Sequence, residues 1–305
     1  MRFLITGGAG FIGSHLARHA LAHGEVRVLD NFRSGKRANL AGLPVEILEG
    51  SVTDPAAVEA AMRGVDRVFH LAAMVSVEES MRDPMGCVDI NVRGLLHVLQ
   101  AAEQARVGRL VFCSSAAVYG NNPDSPKRED MLPQPLSPYA VTKLDGEYYC
   151  ALFAENRGLS TAALRFFNVF GPRQDPNGPY ASAIPRFVAN ALAGQPIRIF
   201  GDGEQTRDFI YVADVVSALW FAGETPSASG VFNVGYGATM TINDLARHVL
   251  DLTGSRVGVE HLPPRAGEVR HSRASVDRLV AAGWRVQDRR LEGLRATIDD
   301  LKGYP

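Results

Sequence analysis

The chain has 305 residues, of which 46% are hydrophobic and 21% charged, and its formal net charge is -1. That length can bury a large core, and the balanced charge argues against nucleic acid or an anionic membrane as the main partner. Its three cysteines lie far apart along the chain, which is the pattern of neither a disulfide framework nor a metal site.

The first 120 residues alternate short apolar runs with longer helical patterns. Strands are predicted over Arg2–Thr6, Val26–Asp30, Val45–Leu48, Arg67–Leu71 and Arg109–Ser114. Helices are predicted over Ile12–His23, over Val88–Ala105, and from Pro55 to about Arg63, with Asp54 as the N-cap and proline at the first helical position. Strands that alternate with helices predict an α/β fold with a parallel sheet and helices on both faces.

The pattern changes after Gly120. Residues 121–138 contain five prolines and a mixed charge run, which predicts an irregular surface loop. A helix over Tyr139–Asn156 and a strand over Thr161–Phe167 follow, and from Gly171 the chain is richer in glycine and proline. We therefore expect one domain over residues 1–170 and a smaller lobe over residues 171–305, part of which returns to the sheet.

The glycine-rich segment TGGAGFIG, residues Thr6–Gly13, follows the first strand and opens the first helix. Glycines at this spacing allow a tight turn, close approach of backbone to a pyrophosphate, and close packing of helix on strand. The helix N-terminus supplies N–H groups and a positive dipole end. Glycines also occur in ordinary turns, but the strand before and the helix after this segment favour a dinucleotide site.

Asp30 ends the second predicted strand, where an acid can accept hydrogen bonds from ribose hydroxyls and repel a 2′-phosphate. This favours NAD over NADP. The alternative is that Asp30 and Asn31 only form a turn, and nearby Arg33 leaves room for some use of NADP.

The segment SPYAVTK places Tyr139 and Lys143 four residues apart at the start of a helix, on one face. Tyrosine has a pKa of about 10 and is a poor base at neutral pH. A neighbouring ammonium together with a cationic nicotinamide ring favours the phenolate. An incidental YxxxK in a helix is the alternative, and the glycine loop upstream argues against it.

These segments, together with HLAA (His70–Ala73), SSAAVYG (Ser114–Gly120) and LRFFNVFGPR (Leu164–Arg173), resemble the extended short-chain dehydrogenase/reductase family. Within that family the chain is similar to the nucleotide-sugar 4-epimerases over nearly its whole length. The resemblance implies a Rossmann-type doubly wound parallel sheet that holds NAD tightly, with a smaller C-terminal α/β lobe that binds a UDP-sugar.

The resemblance also implies roles for individual residues. Tyr139 would be the catalytic acid/base, Lys143 would bind the nicotinamide ribose and tune Tyr139, and Ser115 would hydrogen-bond to the sugar oxygen being oxidised. Ser51 stands where the family often has an aspartate for the adenine amino group, so it offers only a hydroxyl. The implied cofactor contacts are Gly7, Gly10, Phe11, Ile12, Gly13, Asp30, Asn31, Ser34, Gly35, Ser51, Val52, Leu71, Ala72, Ala73, Asn91, Tyr139, Lys143 and Phe167.

Two alanines, Ala116 and Ala117, follow Ser115. Dehydratases of the same family carry an acidic residue there, because elimination of water needs a second positioned acid. Methyl groups cannot transfer protons, whereas a 4-epimerase oxidises C4 and returns the hydride to the other face of the ketone. The alanines therefore favour epimerisation.

Further positions match the family's substrate contacts. Asn168 and Arg207 would contact the diphosphate, with Arg265 as a second phosphate ligand and Glu268 on the nucleoside ribose. Ser272 matches a position that borders the C2 substituent, where a tyrosine excludes N-acetyl groups. Serine leaves space, so we expect UDP-glucose and UDP-galactose, and also their N-acetylated counterparts, as substrates.

Other readings stay open. One is a related enzyme that acts on UDP-glucuronate or a dTDP-sugar, including a dehydratase, and another is a catalytically silent NAD-binding protein. We interpret His70 as a hydrogen-bonded core residue. The N-terminus has no signal-peptide pattern and no apolar run reaches about 18 residues, so we expect a cytoplasmic protein. The resemblance implies a homodimer formed by helices Val88–Ala105 and Tyr139–Asn156.

Overall fold

The computed structural model of the chain describes residues 1–177, 182–264 and 269–303. Its strands are β1 (Arg2–Thr6), β2 (Glu25–Asp30), β3 (Glu46–Glu49), β4 (Arg67–His70), β5 (Arg109–Ser115), β6 (Thr161–Phe166), β7 (Asn168–Phe170), β8 (Ile197–Phe200), β9 (Thr206–Arg207), β10 (Phe209–Tyr211), β11 (Gly230–Val234), β12 (Met240–Thr241) and β13 (Val259–Leu262).

The α-helices are α1 (Phe11–Ala20), α2 (Pro55–Met62), α3 (Val77–Arg82), α4 (Pro84–Val88), α5 (Gly94–Gln104), α6 (Pro138–Arg157), α7 (Ala183–Leu192), α8 (Val212–Glu224), α9 (Ile242–Thr253), α10 (Asp277–Ala281) and α11 (Arg290–Lys302). A π-helical segment, Asp89–Arg93, joins α4 to α5. Short 3₁₀ helices span Arg37–Leu40 and Ala116–Tyr119. No helix in the described residues is both long and apolar enough to cross a lipid bilayer.

Seven strands form one parallel sheet in the order β11-β6-β5-β4-β1-β2-β3. The chain winds outward from β1 through β2 to β3, then returns to the other side of β1 for β4, β5 and β6. The direction of winding therefore reverses between β1 and β4, and a crevice opens at the carboxyl ends of the strands at such a point. This order confirms the predicted Rossmann-type doubly wound sheet.

Both faces of the sheet are covered because its strands are apolar on both sides. Phe3 and Ile5 of β1 pack in one core with α1 and α8. Leu4, between them, packs in a second core with α2 and α5. The side-chain period of two in a strand thus assigns alternate residues to the two helical layers.

The smaller lobe has a core of its own. Helices α7, α9 and α11 enclose apolar residues of β8 and β10, including Ile197, Ile199 and Phe209. Three short strand pairs add to it: β7 with β10, β8 with β13, and β9 with β12. Strand β11, although it lies beyond residue 170, pairs with β6 and completes the main sheet.

The sequence predictions differ from the structure in detail. The helix expected from Val88 is preceded by α4 and interrupted by the π-helical segment before α5 continues to Gln104. Helix α3 was not predicted; its N-cap, Ser76, accepts a hydrogen bond from the Glu79 N–H at 3.0 Å. The predicted N-cap Asp54 is confirmed, since its carboxylate accepts from the Ala56 N–H.

Candidate active site

A cleft of about 620 Å³ opens at the carboxyl ends of the central strands, where the direction of winding reverses. One wall comes from the ends of β1, β2, β4 and β5, and the other from the segment after β6 and the start of α7. The described residues on these walls include nearly all of the implied cofactor contacts: Gly7, Gly10, Phe11, Ile12, Gly13, Asp30, Asn31, Ser34, Gly35, Ser51, Val52, Leu71, Ala72, Ala73, Tyr139, Lys143 and Phe167.

The glycine loop has the geometry that a dinucleotide requires. Gly7 has a left-handed φ of 71°, and its N–H donates to Leu29 O at 2.9 Å, which ties the loop to β2. A Cβ on Gly13 would lie 2.3 Å from Gly7 O, so α1 approaches the loop as closely as backbone permits. The N-cap is Gly10, which has no side chain to cap the first N–H groups of α1. These groups fit an anionic pyrophosphate.

Asp30 lies at the end of β2 on the cleft wall. Its carboxylate accepts the Ala9 N–H at 2.9 Å and the Phe32 N–H at 2.8 Å, which fixes its orientation. A carboxylate has about four lone-pair sites, so acceptor capacity remains for ribose hydroxyls. Arg33, also on the wall, forms an ion pair with Glu79 at 2.6 Å, which partly neutralises the cation beside Asp30.

Ser115, Tyr139 and Lys143 lie together on the cleft wall. Ser115 ends β5, and Tyr139 and Lys143 lie in the first two turns of α6, whose N-cap Ser137 accepts from the Ala140 N–H. Lys143 Nζ donates to Cys113 O at 2.7 Å and lies 5.9 Å from the centroid of the Tyr139 ring. The Ser115 hydroxyl lies near Tyr139 and lowers the pKa of its phenol.

Burial dominates the electrostatics of this group. It lowers the pKa of Lys143 to about 8. It also raises the pKa of Tyr139, and the neighbouring Ser115 hydroxyl opposes that rise only in part. Burial thus outweighs the groups of the chain in setting the pKa of Tyr139. The expectation that the Lys143 ammonium and a cationic nicotinamide together favour the phenolate stays a prediction for the NAD-bound protein.

Ala116 and Ala117 begin the 3₁₀ turn directly after Ser115, and the Ala117 N–H donates to Ser115 Oγ at 3.1 Å. Among the described residues of the cleft wall, the acidic side chains are Asp30 and Asp175. Asp30 lies at the end of β2, and Asp175 forms an ion pair with Lys36 at 3.3 Å. Among the described residues of the cleft wall, no carboxylate is therefore adjacent to Ser115 in the sequence.

Asn91 is the implied cofactor contact that the structure does not bring to the cleft wall. It is buried in the π-helical segment, and its amide is used by the protein: Oδ1 accepts Met74 N at 2.7 Å, and Nδ2 donates to Met74 O and to Thr142 Oγ1, both at 3.0 Å. Asn91 therefore holds the loop after β4 against α6. The implied contact of Asn91 with the cofactor stays a prediction.

Of the implied substrate contacts outside the catalytic group, Asn168 lies on the cleft wall. Arg207 and Ser272 do not line the described cleft; Ser272 N donates to the carbonyl of Thr206 at 3.2 Å, so its backbone lies against β9, the strand that carries Arg207. Arg207 Nη1 donates to Thr206 O at 2.9 Å. Arg265 and Glu268 lie outside the described residues.

Sequence reasoning missed several residues of the cleft wall. The chain reversal after β7 contributes Arg173, whose left-handed φ of 67° is unusual for a residue with a side chain. Its guanidinium donates to Ser14 Oγ at 3.1 Å, and its N–H donates to an oxygen of Asp300 at 2.8 Å. It ends the family segment Leu164–Arg173, from which the sequence analysis assigned it no role. Other missed wall residues are Lys36, Asn39, Val75, Ile90, Gln174 and Asp175.

His70 is not part of the cleft wall described here. Its Nδ1 hydrogen-bonds with Thr6 Oγ1 at 2.8 Å, and burial lowers its pKa to about 3. A histidine that stays neutral at every physiological pH, packed inside the sheet, is structural. The interpretation of His70 as a core residue is confirmed.

Comparison with known proteins points to the same chemistry. Residues 3–235 match the family model described as the NAD dependent epimerase/dehydratase family. A UDP-glucose 4-epimerase of Mycolicibacterium smegmatis is 37% identical, with 98% of each chain covered.

Two solved structures are similar over nearly their whole length. The UDP-N-acetylglucosamine 4-epimerase from Methanobrevibacter ruminantium M1, in complex with UDP-N-acetylmuramic acid, is 39% identical with a TM-score of 0.96, and 99% of this chain and 98% of that chain are covered. The UDP-glucose 4-epimerase of Thermus thermophilus, in complex with NAD, is 38% identical with a TM-score of 0.91, and both chains are covered completely, at 100%.

Proposed function

The chain belongs to the NAD dependent epimerase/dehydratase family, and we propose that it interconverts the C4 epimers of UDP-sugars through a transient 4-keto sugar. One observation carries this proposal. Ser115, Tyr139 and Lys143 meet on the wall of a dinucleotide cleft, and no described carboxylate lines that wall beside Ser115. This set can move one proton at a sugar hydroxyl and lacks the second acid that dehydration requires.

The glycine loop, Asp30 and Lys143 are the groups that would hold NAD, which when bound supplies a reversible hydride acceptor for C4 of the sugar. Tyr139 takes the proton from the C4 hydroxyl as its phenolate and returns it at the end of the cycle. Ser115 donates a hydrogen bond to the same oxygen and holds it beside Tyr139. Lys143, anchored by Cys113 O, places a positive charge near the Tyr139 ring and favours the phenolate.

Epimerisation further requires that the ketone present its other face before reduction, and no protein group needs to transfer a proton to carbon for that. One acid/base, Tyr139, and one hydroxyl, that of Ser115, are sufficient for proton transfer at the C4 oxygen. The arrangement of these residues thus favours the 4-epimerase over the related dehydratase.

We further propose that the enzyme accepts both UDP-glucose and UDP-N-acetylglucosamine, with their galacto epimers. Ser272 is the residue that supports this breadth, because it stands at the position that borders the C2 substituent in the family and lacks the ring by which a tyrosine would exclude an acetamido group. Relatives of both kinds are similar to this chain: one is named for the unacetylated and one for the acetylated sugar.

The test is turnover of single substrates. Purified protein, without added NAD, is incubated separately with UDP-glucose, UDP-N-acetylglucosamine and UDP-glucuronate, and the products are resolved by NMR. We expect C4 epimers of the first two, formed without external cofactor, and none with the Tyr139→Phe control. Conversion of the unacetylated sugar alone contradicts the proposed breadth, and no conversion of any sugar with NAD supplied contradicts the epimerase.

A further inference from the structure

A buried carboxylate behind the catalytic group joins the elements that carry it. Glu147 lies on α6, four residues after Lys143 and eight after Tyr139, so the three side chains follow one stripe of the helix. Its Oε1 accepts the Ser114 hydroxyl at 2.5 Å. Arg165 on β6 donates Nε to Oε1 at 2.8 Å and Nη2 to Oε2 at 2.7 Å. The two charged side chains are only 3% and 4% exposed.

The hydrogen bond from Ser114 bears directly on the catalytic geometry. Ser114 precedes Ser115 at the end of β5, so binding its hydroxyl to Glu147 holds the end of the strand against α6. Tyr139 is carried by the same helix. The separation of Ser115 from Tyr139 therefore depends on this contact between the strand and the helix.

Arg165 connects a third element, strand β6, to this carboxylate. It lies three residues before Asn168, which lines the cleft. Its guanidinium carbon lies 4.8 Å from the centroid of the Tyr119 ring, at the end of the turn that begins after Ser115. The Tyr119 hydroxyl in turn donates to Asn233 Oδ1 on β11 at 2.7 Å. One carboxylate thus connects β5, α6 and β6, and through Arg165 the turn after Ser115.

Stability alone is a weak reason for such an arrangement. A buried ion pair is often no more stabilising than apolar residues of the same volume, because both charges lose their hydration. In this pair, Arg165 Nη1 is buried and has no hydrogen-bond partner among the described residues, which adds a further cost. What the pair does provide is fixed geometry, since a bidentate guanidinium–carboxylate contact restrains both distance and orientation.

We propose that Glu147 is a positioning residue for the epimerisation, which acts through Ser114 and Arg165 to hold Ser115 and Asn168 at their working distances from Tyr139 and Lys143. This inference rests on the proposed function. Glu147 takes no part in proton transfer and is not a wall residue of the described cleft. Its effect belongs in the chemical step, because displacement of reacting groups by about 1 Å can lower a rate on the order of 100-fold.

Two variants and a matched control separate positioning from simple stabilisation. Ser114→Ala removes the contact with β5 and leaves the Arg165–Glu147 pair intact, while Glu147→Gln breaks the pair. The control is Asp214→Asn, since Asp214 on α8 is an equally buried carboxylate that accepts from Arg289 Nη2 at 2.7 Å. For each protein, kcat and KM for UDP-glucose, the thermal midpoint and the NAD content are measured, and the crystal structure of Ser114→Ala is determined.

We expect Ser114→Ala and Glu147→Gln to lower kcat by about tenfold or more, with KM within about threefold and NAD content unchanged. Asp214→Asn should lower the thermal midpoint and leave kcat within about twofold. In the Ser114→Ala crystal structure Ser115 Oγ should lie farther from the Tyr139 hydroxyl than in the wild type. Since both substitutions act through one contact, the double variant should be no slower than Glu147→Gln.

Wild-type kcat in Ser114→Ala, with an unchanged distance between Ser115 Oγ and the Tyr139 hydroxyl, overturns the proposal, and so does a Glu147→Gln variant that loses only thermal stability. If Glu147→Gln does not fold, Ser114→Ala decides alone. If the wild-type protein turns over no UDP-sugar, the proposed function fails, and the Ser114→Ala crystal structure still shows whether this contact positions Ser115.

Discussion

The substitution Gly13→Ala tests whether the glycine loop is built around a dinucleotide. A Cβ at this position would lie 2.3 Å from Gly7 O and 2.8 Å from Gly8 Cα. Both contacts are with backbone, so the loop or α1 must move, and a normal contact distance requires a displacement of about 1 Å. In the helix itself, alanine is favoured over glycine by about 1 kcal/mol, against a cost of about 1–3 kcal/mol for overpacking.

The net loss of folding free energy is therefore small, about 0–2 kcal/mol. The effect on cofactor binding is larger, because a displaced loop lengthens several hydrogen bonds to the pyrophosphate at once. A loss of about 100-fold in NAD affinity corresponds to about 2.7 kcal/mol. Gly13→Ala should thus keep most of its stability and lose its cofactor.

The assay is calorimetric titration of cofactor-free protein with NAD, together with the thermal midpoint of the same preparation. The control is Gly258→Ala, since a Cβ at Gly258 meets no atom within 4 Å and Gly258 does not line the described cleft. This control should bind NAD within about twofold of the wild type. Equal NAD affinity for Gly13→Ala and the wild type would refute the role assigned to the close approach of α1 to the loop.

Three further predictions concern pH, sugar size and assembly. Because burial lowers the pKa of Lys143 to about 8, the first proton leaves the Tyr139–Lys143 pair near that pH. The remaining proton is then on either Tyr139 or Lys143, and the form with the proton on Lys143 is the reactive phenolate and ammonium. We therefore expect kcat/KM to rise with pH through about 8. A flat or falling profile there contradicts this reasoning. Ser272→Tyr should lower kcat/KM for UDP-N-acetylglucosamine by about tenfold or more and leave UDP-glucose within about threefold, as measured by NMR initial rates, whereas equal losses argue against a C2 contact. Met85 and Tyr148, on α4 and α6, are 76% and 57% exposed, and we expect them to be covered in a homodimer; light scattering should show Tyr148→Glu as a monomer, and a monomeric wild type would disprove the dimer.

The main sheet could be predicted from sequence because its strands are short, apolar and separated by helical patterns. The predicted ends of β1, β2 and β5 lie within one residue of those observed. Helix α3 was missed because it is short and its apolar residues Val77 and Met81 are 48% and 60% exposed, so it shows no buried stripe. A signal was nevertheless present: Ser76 and Glu79 have the spacing of a capping box.

The smaller lobe was predictable only in outline. Strand β8 pairs with β13, whose residues follow about 60 positions later, and neither strand is long enough to show a period. The cleft shows the same limit. Residues of the glycine loop could be assigned because their roles are local, whereas Arg173 reaches Ser14 of α1 only through the tertiary fold. Asn91 was assigned to the cofactor by resemblance, and only the fold shows that its amide also holds Met74 and Thr142.

The acidic residues that do line the described cleft support the interpretation that Ala116 and Ala117 favour epimerisation over dehydration. Asp30 is oriented by the N–H groups of Ala9 and Phe32 at the end of β2, and Asp175 is paired with Lys36. Both carboxylates are therefore engaged by other groups of the chain. In the proposed reaction Tyr139 is the one acid/base at the sugar, and a single acid/base can take one proton from the C4 oxygen and give it back. That is the proton balance of an epimerisation, in which substrate and product have the same formula, whereas loss of water needs a further proton at the leaving hydroxyl.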